Sequence, residues 1–380
     1  MIKKMNRAIE YPVYPSAEQA SLIQRTFGCV RYIWNQMLAD HNEFKAATDV
    51  DFIPTPAKYK KDAPFLKEVD SLALANTQLA LNKAFSKFYK EKNVGYPNFK
   101  SKKRDKKSYT TNNQIPKGSR PTIYIGNDII HLPKVGDIAA NLYRLPKDDW
   151  RLKNATVKQT KTGRYFCVLT FEFEIDIQEV QPSIERGIGL DYSSPLFYVD
   201  SEGRSPEFPK PFRTAEAKLA KEQRKLSRMK RGSKNYSRQL LKVQKLHEHI
   251  ANQRKDFLHK LSREIANSYD NVCVEDINLR GMAGSLRLGK STNDNGFGMF
   301  RNFLEYKLEE QGKQLICIDR FYPSSKTCSV CGCIKDDLTL EDRMYVCPSC
   351  GTVIDRDKNA AINILVEGVA SCYAALPKAG

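Results

Sequence analysis

The sequence predicts a multidomain α+β protein. Helical and strand-like periodicities occupy separate blocks of the chain, which is typical of this fold class. The 380 residues suffice for roughly two to three domains. Hydrophobic residues make up 41% and charged residues 28%, a balance that favours a folded chain with a sizeable core over wholesale disorder.

The first block is predicted to be helical. A helix is expected from Ser16 to about Ala46, because Ser16 and Gln19 have the spacing of a capping box and apolar residues follow at a helical period. A second helix is expected over residues 72–90. The segment 96–107 then carries six Lys or Arg against one Asp, with aromatic residues at its start, and is predicted to be a basic surface segment.

The second block is predicted to be a small all-β module that the preceding helices interrupt in sequence. Over residues 122–175 the hydrophobic period changes to two, which is the period of half-buried strands. Residues 161–164, Lys-Thr-Gly-Arg, have the composition of a hairpin turn. Pro182 and Ser183 mark the expected boundary to the next block.

The third block alternates strands with helices. Residues 213–263 hold 16 Lys or Arg against four acids, a net charge of 16 − 4 = +12, and Gly232 is expected to divide them into two helical arms. A solvated hairpin would explain part of this charge, but the excess is larger than solubility needs and predicts contact with phosphates. The other predicted elements are strands over 187–200, 271–277 and 314–321 and helices over 296–312 and 356–367.

The overall charge indicates a polyanionic partner. Lys and Arg number 62 against 44 Asp and Glu, which gives +18. Nucleic acid is the first candidate and an anionic membrane surface the second. No apolar run approaches the roughly 18 residues that span a bilayer, and the basic start lacks the apolar core of a signal peptide. We therefore expect no membrane partner and a cytoplasmic location.

Four cysteines predict a zinc site. They follow the pattern Cys328-x2-Cys331-x15-Cys347-x2-Cys350, and two C-x-x-C pairs can place four thiolates around one tetrahedral Zn²⁺. Because sulfur fills all four positions, the predicted role is structural. Cys333 is close to the pattern, but its spacing fits a ligand less well. Ten cysteines in all are too few for a disulfide scaffold and indicate a reduced protein.

Three acids predict a second metal site. Asp191 and Glu275 each end an apolar strand segment, and Asp357 begins a helix, so their carboxylates can meet at one sheet edge and hold two divalent cations. Taken singly, each acid is better explained as a solvated strand end or a helix cap. Asp276 and Asp355 compete for the same roles, although Glu275 and Asp276 face opposite sides of a strand and only one can join the site.

Two other kinds of site are excluded. The five histidines form no HExxH pattern, which excludes histidine-based zinc hydrolysis. Residues 284–291 match the phosphate-binding pattern G-x-x-x-x-G-K-[ST], but the preceding strand is expected to end near Ile277 and helix-breaking residues follow Lys290. We interpret this match as a coincidence in a basic loop.

Several of these motifs resemble one known family. The stretches GLDYSS, VEDINLRGM, GFGMFRNFLEYK, YPSSKTCSVCG, CPSCG and DRDKNAAINI are similar to TnpB proteins, which insertion sequences encode and which resemble the ancestors of type V CRISPR effector nucleases. The resemblance covers nearly the whole chain. It implies a wedge β-barrel (residues 1–15 and 108–181) with an inserted helical recognition domain (16–107). It also implies a RuvC-like nuclease domain on an RNase H-type sheet (182–327 and 351–380) with an inserted zinc ribbon (328–350).

The resemblance also implies residue roles. Asp191, Glu275 and Asp357 match the family's catalytic triad for Mg²⁺ or Mn²⁺, and the pattern D-x-N-A-A selects Asp357 over Asp355. The four cysteines match the zinc ligands. Thr111, Asn112 and Asn113 match a family segment near the target duplex, and Arg356, between the two aspartates of DRD, is expected to help hold the DNA strand. The charge of the two basic stretches predicts further nucleic-acid contacts at Lys100, Lys102, Lys103, Arg104 and Arg254.

The resemblance therefore implies an RNA-guided DNA endonuclease with a guide RNA and target DNA as partners, which is expected to cut beside a short adjacent motif. A transposase that acts without guide RNA and a compact type V CRISPR effector are the alternatives. A non-enzymatic RNA-guided binder ranks last, because all three acids are present. A monomer is compatible with the sequence, which leaves the oligomeric state open. The expected location is the prokaryotic cytoplasm, in association with the nucleoid.

Overall fold

The computed structural model describes residues 2–115, 117–118, 120–278, 295–339 and 341–374. The chain divides into two compact units. The N-terminal unit comprises Lys4–Ile175, and the C-terminal unit comprises Asp176–Gly380 together with Met1–Lys3. Among the helices of the described residues, none combines the length and the hydropathy that crossing a bilayer requires.

The N-terminal unit contains a seven-stranded sheet within the described residues, in the order β2-β6-β7-β1-β5-β4-β3. Two helices and two short 3-10 helices are inserted between its first two strands. The strands are β1 (Ile2–Tyr14), β2 (Lys107–Asn112), β3 (Tyr124–Ile125), β4 (Ile129–Leu132), β5 (Gly136–Ala140), β6 (Arg151–Gln159) and β7 (Tyr165–Asp176), and the helices are α1 (Ala17–Thr48), Pro56–Lys60, Pro64–Lys67 and α2 (Ser71–Lys90).

Local signals explain where these elements begin and turn. The capping box at α1 is confirmed, since the Ser16 side chain accepts from the Gln19 amide at 3.3 Å and the Gln19 side chain accepts from the Ser16 amide at 2.9 Å. Asp70 caps α2 by accepting from the Leu72 amide at 3.0 Å. The predicted turn between β6 and β7 is also confirmed, and Gly163 supplies its positive φ of 90°.

The C-terminal unit is built on four described strands in the order β11-β10-β8-β9. Strands β8, β10 and β11 are parallel, and β9 is antiparallel to β8. The strands are β8 (Gly187–Ser193), β9 (Phe197–Asp200), β10 (Asn271–Glu275) and β11 (Gln314–Ile318). A separate two-stranded sheet is formed by β12 (Met344–Val346) and β13 (Val353–Asp355). The helices are α3 (Pro211–Ser227), α4 (Lys234–Ser268), α5 (Phe297–Glu309) and α6 (Arg356–Ala374).

Two element predictions need correction. The single strand predicted over 187–200 is a hairpin, because Pro195 lies in the connection and the chain folds back into β9. The last helix runs to Ala374 and is longer than predicted, since its apolar face continues through Val369, which is buried. The division of the basic stretch at Gly232, whose φ is +88°, is confirmed.

Different helices cover the two faces of the sheet in the C-terminal unit. On one face, Ile188 and Leu190 pack in a core with residues of α4 and α5. On the other face, Cys273 and Ile316 pack against Leu365 and neighbouring residues of α6. Side chains alternate along a strand, so the residue after Leu190 on β8 and the residue after Val274 on β10 both face α6. This alternation decides which acids can meet.

Candidate active site and metal centre

The three predicted acids line one cleft. Asp191 lies on the face of β8 that is opposite Leu190, and Glu275 ends β10 on the same side as Cys273, so both face α6. Asp357 is the second residue of α6. All three line a cleft of about 540 Å³. Three separate elements therefore bring their carboxylates together.

Close approach of α6 to β8 makes this arrangement possible. A Cβ atom on Gly189 would lie 2.0 Å from the Ala361 carbonyl oxygen and 2.9 Å from the Leu365 nitrogen. Both contacts are with the backbone of α6, which cannot move aside as a side chain could. Only glycine at this position lets the helix that carries Asp357 pack directly on the strand that carries Asp191.

Burial and mutual repulsion dominate the electrostatics of the acids. Burial raises the pKa of Asp191 well above its ordinary value, and the negative charges of Glu275 and Asp357 raise it further. Burial also raises the pKa of Glu275, while a hydrogen bond from Ser324 lowers it. Carboxylates that are difficult to ionise together are stabilised by a bound divalent cation, whose charge compensates for theirs.

Basic side chains complete the cleft wall. Lys326, Arg343 and Arg356 line it together with the acids. The Arg356 guanidinium lies 3.0 Å from an Asp357 carboxylate oxygen. Such cations beside carboxylates suit a polyanionic substrate, since they can neutralise phosphates next to a metal site.

The competing acids have other partners. Arg320 pairs with Asp276 at 2.6 Å and also donates to the Asp276 carbonyl oxygen at 2.9 Å. Asp355 accepts from the Lys358 amide at 2.9 Å and so caps the start of α6. Neither residue is among those that line the cleft. The structure therefore brings together Asp191, Glu275 and Asp357 in preference to these neighbours.

The four cysteines form a second, separate cluster. Their Sγ atoms all lie within 4.8 Å of one another, with 3.7 Å between Cys328 and Cys350 and 3.5 Å between Cys331 and Cys347. A tetrahedral shell with Zn–S bonds of about 2.3 Å places its sulfurs about 3.8 Å apart. Cys333 does not belong to the cluster, although its carbonyl oxygen accepts from the Cys328 amide at 2.8 Å. The donor set thus fits a tetrahedral metal ion.

The carboxylates have a different donor chemistry. Among the described residues the cysteines alone form a group of three or more ligand atoms that all lie within 4.8 Å of one another, so the three acids taken together are more widely spread. A pair of ions about 3.5–4 Å apart does not need a tighter set. Hard carboxylate oxygens suit Mg²⁺ or Mn²⁺, whereas thiolates suit Zn²⁺.

The predicted nucleic-acid residues near the start of the β module differ in accessibility. Thr111 is 1% exposed and its hydroxyl donates to Asp70, which removes this side chain from any surface that a duplex could contact. Asn112 and Asn113 line a groove of about 480 Å³. The Asn113 amide is already hydrogen-bonded to the backbone of Leu152 and Ile123.

The predicted basic residues also divide into two groups. The ammonium group of Lys100 lies 3.6 Å from the centre of the Trp34 ring, and burial lowers the pKa of this lysine, so it is partly committed to packing. Arg254 is half-buried and its side chain lies beside Gly296. Lys102, Lys103 and Arg104 are exposed. The phosphate-loop match at 284–291 lies outside the described residues.

Sequence reasoning missed four residues around the cleft: Gly189, Ser324, Asn359 and Asn363. Both asparagines are buried in α6, and an Asn pair at i and i+4 on an apolar helix was a readable signal of a buried polar contact. Gly189 stands in an otherwise apolar strand, which is a sign of close backbone approach. Nothing in the local sequence distinguished Ser324 from its neighbour Ser325.

Comparisons with known families agree with this architecture. Residues 170–286 match a model described as "Probable transposase", and residues 297–364 match one described as "Cas12f1-like, TNB domain". Residues 1–47 match a model described as "Helix-turn-helix domain". In the structure, the described part of that last range forms β1 and α1.

Individual relatives extend the match to nearly the whole chain. A Streptomyces pristinaespiralis protein named "Putative RNA-guided DNA endonuclease" is 33% identical over 98% of this chain and 91% of its own length. An Escherichia coli K12 protein named "Putative RNA-guided DNA endonuclease InsQ" is 28% identical over 96% of this chain and 93% of its own length.

A solved structure shares the fold. The protein chain in the "Cryo-EM structure of the Cas12f1-sgRNA-target DNA complex" superposes with a TM-score of 0.60 at 15% identity, covering 95% of this chain and 99% of that one. The sequence matches and the motifs around the cleft and the cysteines point to the same group of proteins. The chain belongs to the TnpB family.

Proposed function

We propose that this protein is an RNA-guided, metal-dependent DNA endonuclease that cuts target DNA beside a short adjacent motif. The observation that carries the proposal is the convergence of Asp191, Glu275 and Asp357 from three elements on one cleft with basic walls. The near full-length relatives named as RNA-guided DNA endonucleases support the same reading. Pairing between guide RNA and target would supply sequence specificity.

Each acid has a defined part in this proposal. Asp191, Glu275 and Asp357 would hold two Mg²⁺ or Mn²⁺ ions through their carboxylate oxygens. When bound, such ions supply an activated water and stabilise the leaving oxygen of the phosphodiester. Lys326 and Arg343 would neutralise phosphates of the strand in the cleft, and Arg356 orients the Asp357 carboxylate that it contacts.

The remaining parts of the chain receive supporting roles. We assign the cysteine cluster to one structural Zn²⁺ in a ribbon over 328–350, inserted in a RuvC-like domain over 182–327 and 351–380. The sheet strands of residues 1–15 and 108–181 would form the wedge and the inserted helices of 16–107 the recognition domain. The +18 charge supports guide RNA and target DNA as partners, and hence action at the nucleoid.

Two alternatives use the same cleft. A transposase that joins DNA ends without a guide needs similar acids, and a compact type V CRISPR effector would differ only in the source of its guide. A guide-dependent binder without nuclease activity is disfavoured, because all three acids are present and line one cleft. Dependence on the guide sequence separates these functions.

The test is cleavage programmed by RNA. The protein is co-expressed with its flanking locus, the copurifying RNA is sequenced, and the complex is then rebuilt with two different guide segments. We expect cleavage to move to whichever duplex matches the guide and to disappear in Asp357→Ala. Cleavage that ignores the guide, or that persists in Asp357→Ala, would contradict the proposal.

A further inference from the structure

We propose that Ser324 is a positioning residue for Glu275, and that two buried asparagines of α6 connect this serine to the cysteine ribbon. The inference rests on the proposed nuclease function and adds residues to which no role has been assigned. It concerns how the Glu275 carboxylate is held at the edge of the cleft, where a metal ligand must be preorganised to act.

The first step is the contact between Ser324 and Glu275. The Ser324 hydroxyl donates a hydrogen bond to Glu275 Oε1, and Ser324 is 5% exposed. Among the described residues no other side chain or amide donates to this carboxylate, and no cation pairs with it. One hydroxyl therefore fixes the orientation of a carboxylate that is the last residue of its strand.

The second step is the hold on Ser324 itself. Asn363 donates from its side-chain amide to the Ser324 carbonyl oxygen at 2.7 Å and to the Thr327 carbonyl oxygen at 2.6 Å. Asn363 is 5% exposed, so these bonds are protected from water. The turn that carries Ser324 is thus fastened to α6, the helix that also carries Asp357.

The third step reaches the cysteine ribbon. Asn359, one turn before Asn363, donates to the Thr327 carbonyl oxygen at 2.7 Å and accepts from the Ser329 amide at 2.9 Å. Cys328 lies between these two anchored residues. The asparagine pair therefore connects Cys328, the first cysteine of the cluster, to Ser324, which lies four residues earlier in the chain and contacts Glu275.

These contacts imply a mechanical relation between the two sites. The segment 324–329 contacts Glu275 at its start and contains Cys328 near its end. Its backbone is hydrogen-bonded to the two asparagines of α6. A folded ribbon keeps this segment in register with α6, which in turn keeps the Ser324 hydroxyl on Glu275. The ribbon is thereby a positioning element for the cleavage site, in addition to any contact it makes with nucleic acid.

The experiment measures metal binding as well as cleavage. Ser324→Ala, the near-isosteric Ser324→Cys and Asn363→Ala are compared with the parent as guide complexes. Mn²⁺ binding is followed by electron paramagnetic resonance, and the Mg²⁺ dependence of cleavage is titrated. Ser371→Ala is the matched control, because within the part of the chain that the structure describes the Ser371 hydroxyl bonds only to the Gly368 carbonyl oxygen of its own helix.

Loss of an outer-shell partner typically weakens metal affinity by about 10–100-fold. We expect Ser324→Ala to weaken Mn²⁺ binding about tenfold and to raise the Mg²⁺ midpoint of cleavage similarly, with RNA binding and zinc content unchanged. Ser324→Cys should lie between it and the parent. Asn363→Ala should share the defect, and Ser371→Ala should match the parent.

Failure of this inference can be distinguished from failure of the proposed function. Parental Mn²⁺ affinity and an unchanged Mg²⁺ midpoint in both Ser324→Ala and Asn363→Ala would overturn the positioning role. A parent complex that binds no Mn²⁺ and cuts no guide-matched DNA would overturn the proposed function instead. If Ser324→Ala does not fold, the Mn²⁺ affinity of Ser324→Cys decides, and parental affinity in it overturns the inference.

Discussion

Asp191 and Glu275 occupy neighbouring positions on the parallel strands β8 and β10, each one residue after the Leu190–Val274 pair. Parallel strands lie about 4.8 Å apart, so equal register places the two carboxylates side by side. Both side chains face α6, where Asp357 enters the same cleft. The site is therefore built by strand register and completed by one helix.

This register makes the site electrostatically costly, and Asp191→Asn should remove that cost. Asp191 has a pKa raised above its unfolded value by burial and by its acidic neighbours. At neutral pH the folded state then carries a penalty that is absent at low pH, where the carboxyl is protonated. In buffer without divalent ions, we expect Asn to raise the melting temperature by about 2–4 °C, as a gain on the order of 1 kcal/mol would, while cleavage is abolished.

Differential scanning fluorimetry with and without Mg²⁺ checks this prediction. Added Mg²⁺ should stabilise the parent and have little effect on Asp191→Asn, since the variant lacks one ligand. A lower melting temperature for the variant in metal-free buffer would show that the ionised Asp191 carboxylate does not destabilise the folded state. Retained cleavage would show that it is not a metal ligand.

Gly189→Ala should disable the site without changing any acid. The new Cβ would lie 2.0 Å from the Ala361 carbonyl oxygen, so α6 must move away from β8 and carry Asp357 with it. Overpacking of this kind costs about 1–3 kcal/mol. We expect a lower melting temperature and at least a tenfold loss of cleavage rate at saturating Mg²⁺.

The matched control is Gly28→Ala in α1. A Cβ on Gly28 meets nothing within 4 Å, and alanine in a helix is favoured over glycine by about 1 kcal/mol. This variant should keep full cleavage and melt at the same or a higher temperature. Equal activity of Gly189→Ala and the parent would refute the close-packing argument.

Cys347→Ser should release the metal from the ribbon. Structural zinc contributes on the order of 10 kcal/mol to the folding of small modules, so loss of one thiolate is expected to unfold the ribbon locally. Zinc measured by inductively coupled plasma mass spectrometry should fall from about one equivalent per chain to well below half. Protease cleavage between residues 328 and 350 should accelerate.

Cys333→Ser provides the control for that measurement. Cys333 is close to the cluster in sequence but its thiol is not one of the four clustered ligands. We expect parental zinc content and parental protease resistance. Zinc loss in Cys333→Ser, with retention in Cys347→Ser, would reassign the ligands.

Local signals predicted much of this fold, because their physics is local. The capping box at Ser16 and the break at Gly232 depend only on neighbouring residues, and both occur where the sequence places them. The hairpin at Pro195 was predicted as one strand, because the apolar stretches 187–190 and 196–199 on either side of the turn both have strand character. The cysteine spacing predicted the cluster, because each C-x-x-C pair can by itself place two thiolates on one metal ion.

The cleft could be predicted only in part. Asp191, Glu275 and Asp357 were identified from strand ends, a helix start and family motifs, and the register that aligns the first two is a tertiary property. Ser324 was missed because its partner lies 49 residues away in sequence. Thr111 was expected at a nucleic-acid surface, but packing against α2 buries it, and no local pattern carries that information.

The last prediction concerns Lys307, a lysine on α5 that is 3% exposed. Its ammonium group donates to the His259 carbonyl oxygen and to the Ser262 hydroxyl, both at 2.6 Å. Burial lowers its pKa to about 8, with a further contribution from the positive charge of Arg263. Below pH 8 the folded state therefore holds a charge that the unfolded state solvates better.

Titration of Lys307 should consequently make the folded protein more stable as the pH rises above about 8. Between about pH 8 and the unfolded lysine pKa of about 10.4, the folded state has released the proton that the unfolded state still binds, so the free energy of unfolding increases. Lys307→Met keeps the length of the side chain and removes the titration. We expect the stability of the parent relative to Lys307→Met to increase from pH 7 to pH 10, as measured by urea unfolding in paired buffers, because other titrating groups cancel in the difference. A difference that stays constant over this range would show that Lys307 keeps an ordinary pKa in the folded protein.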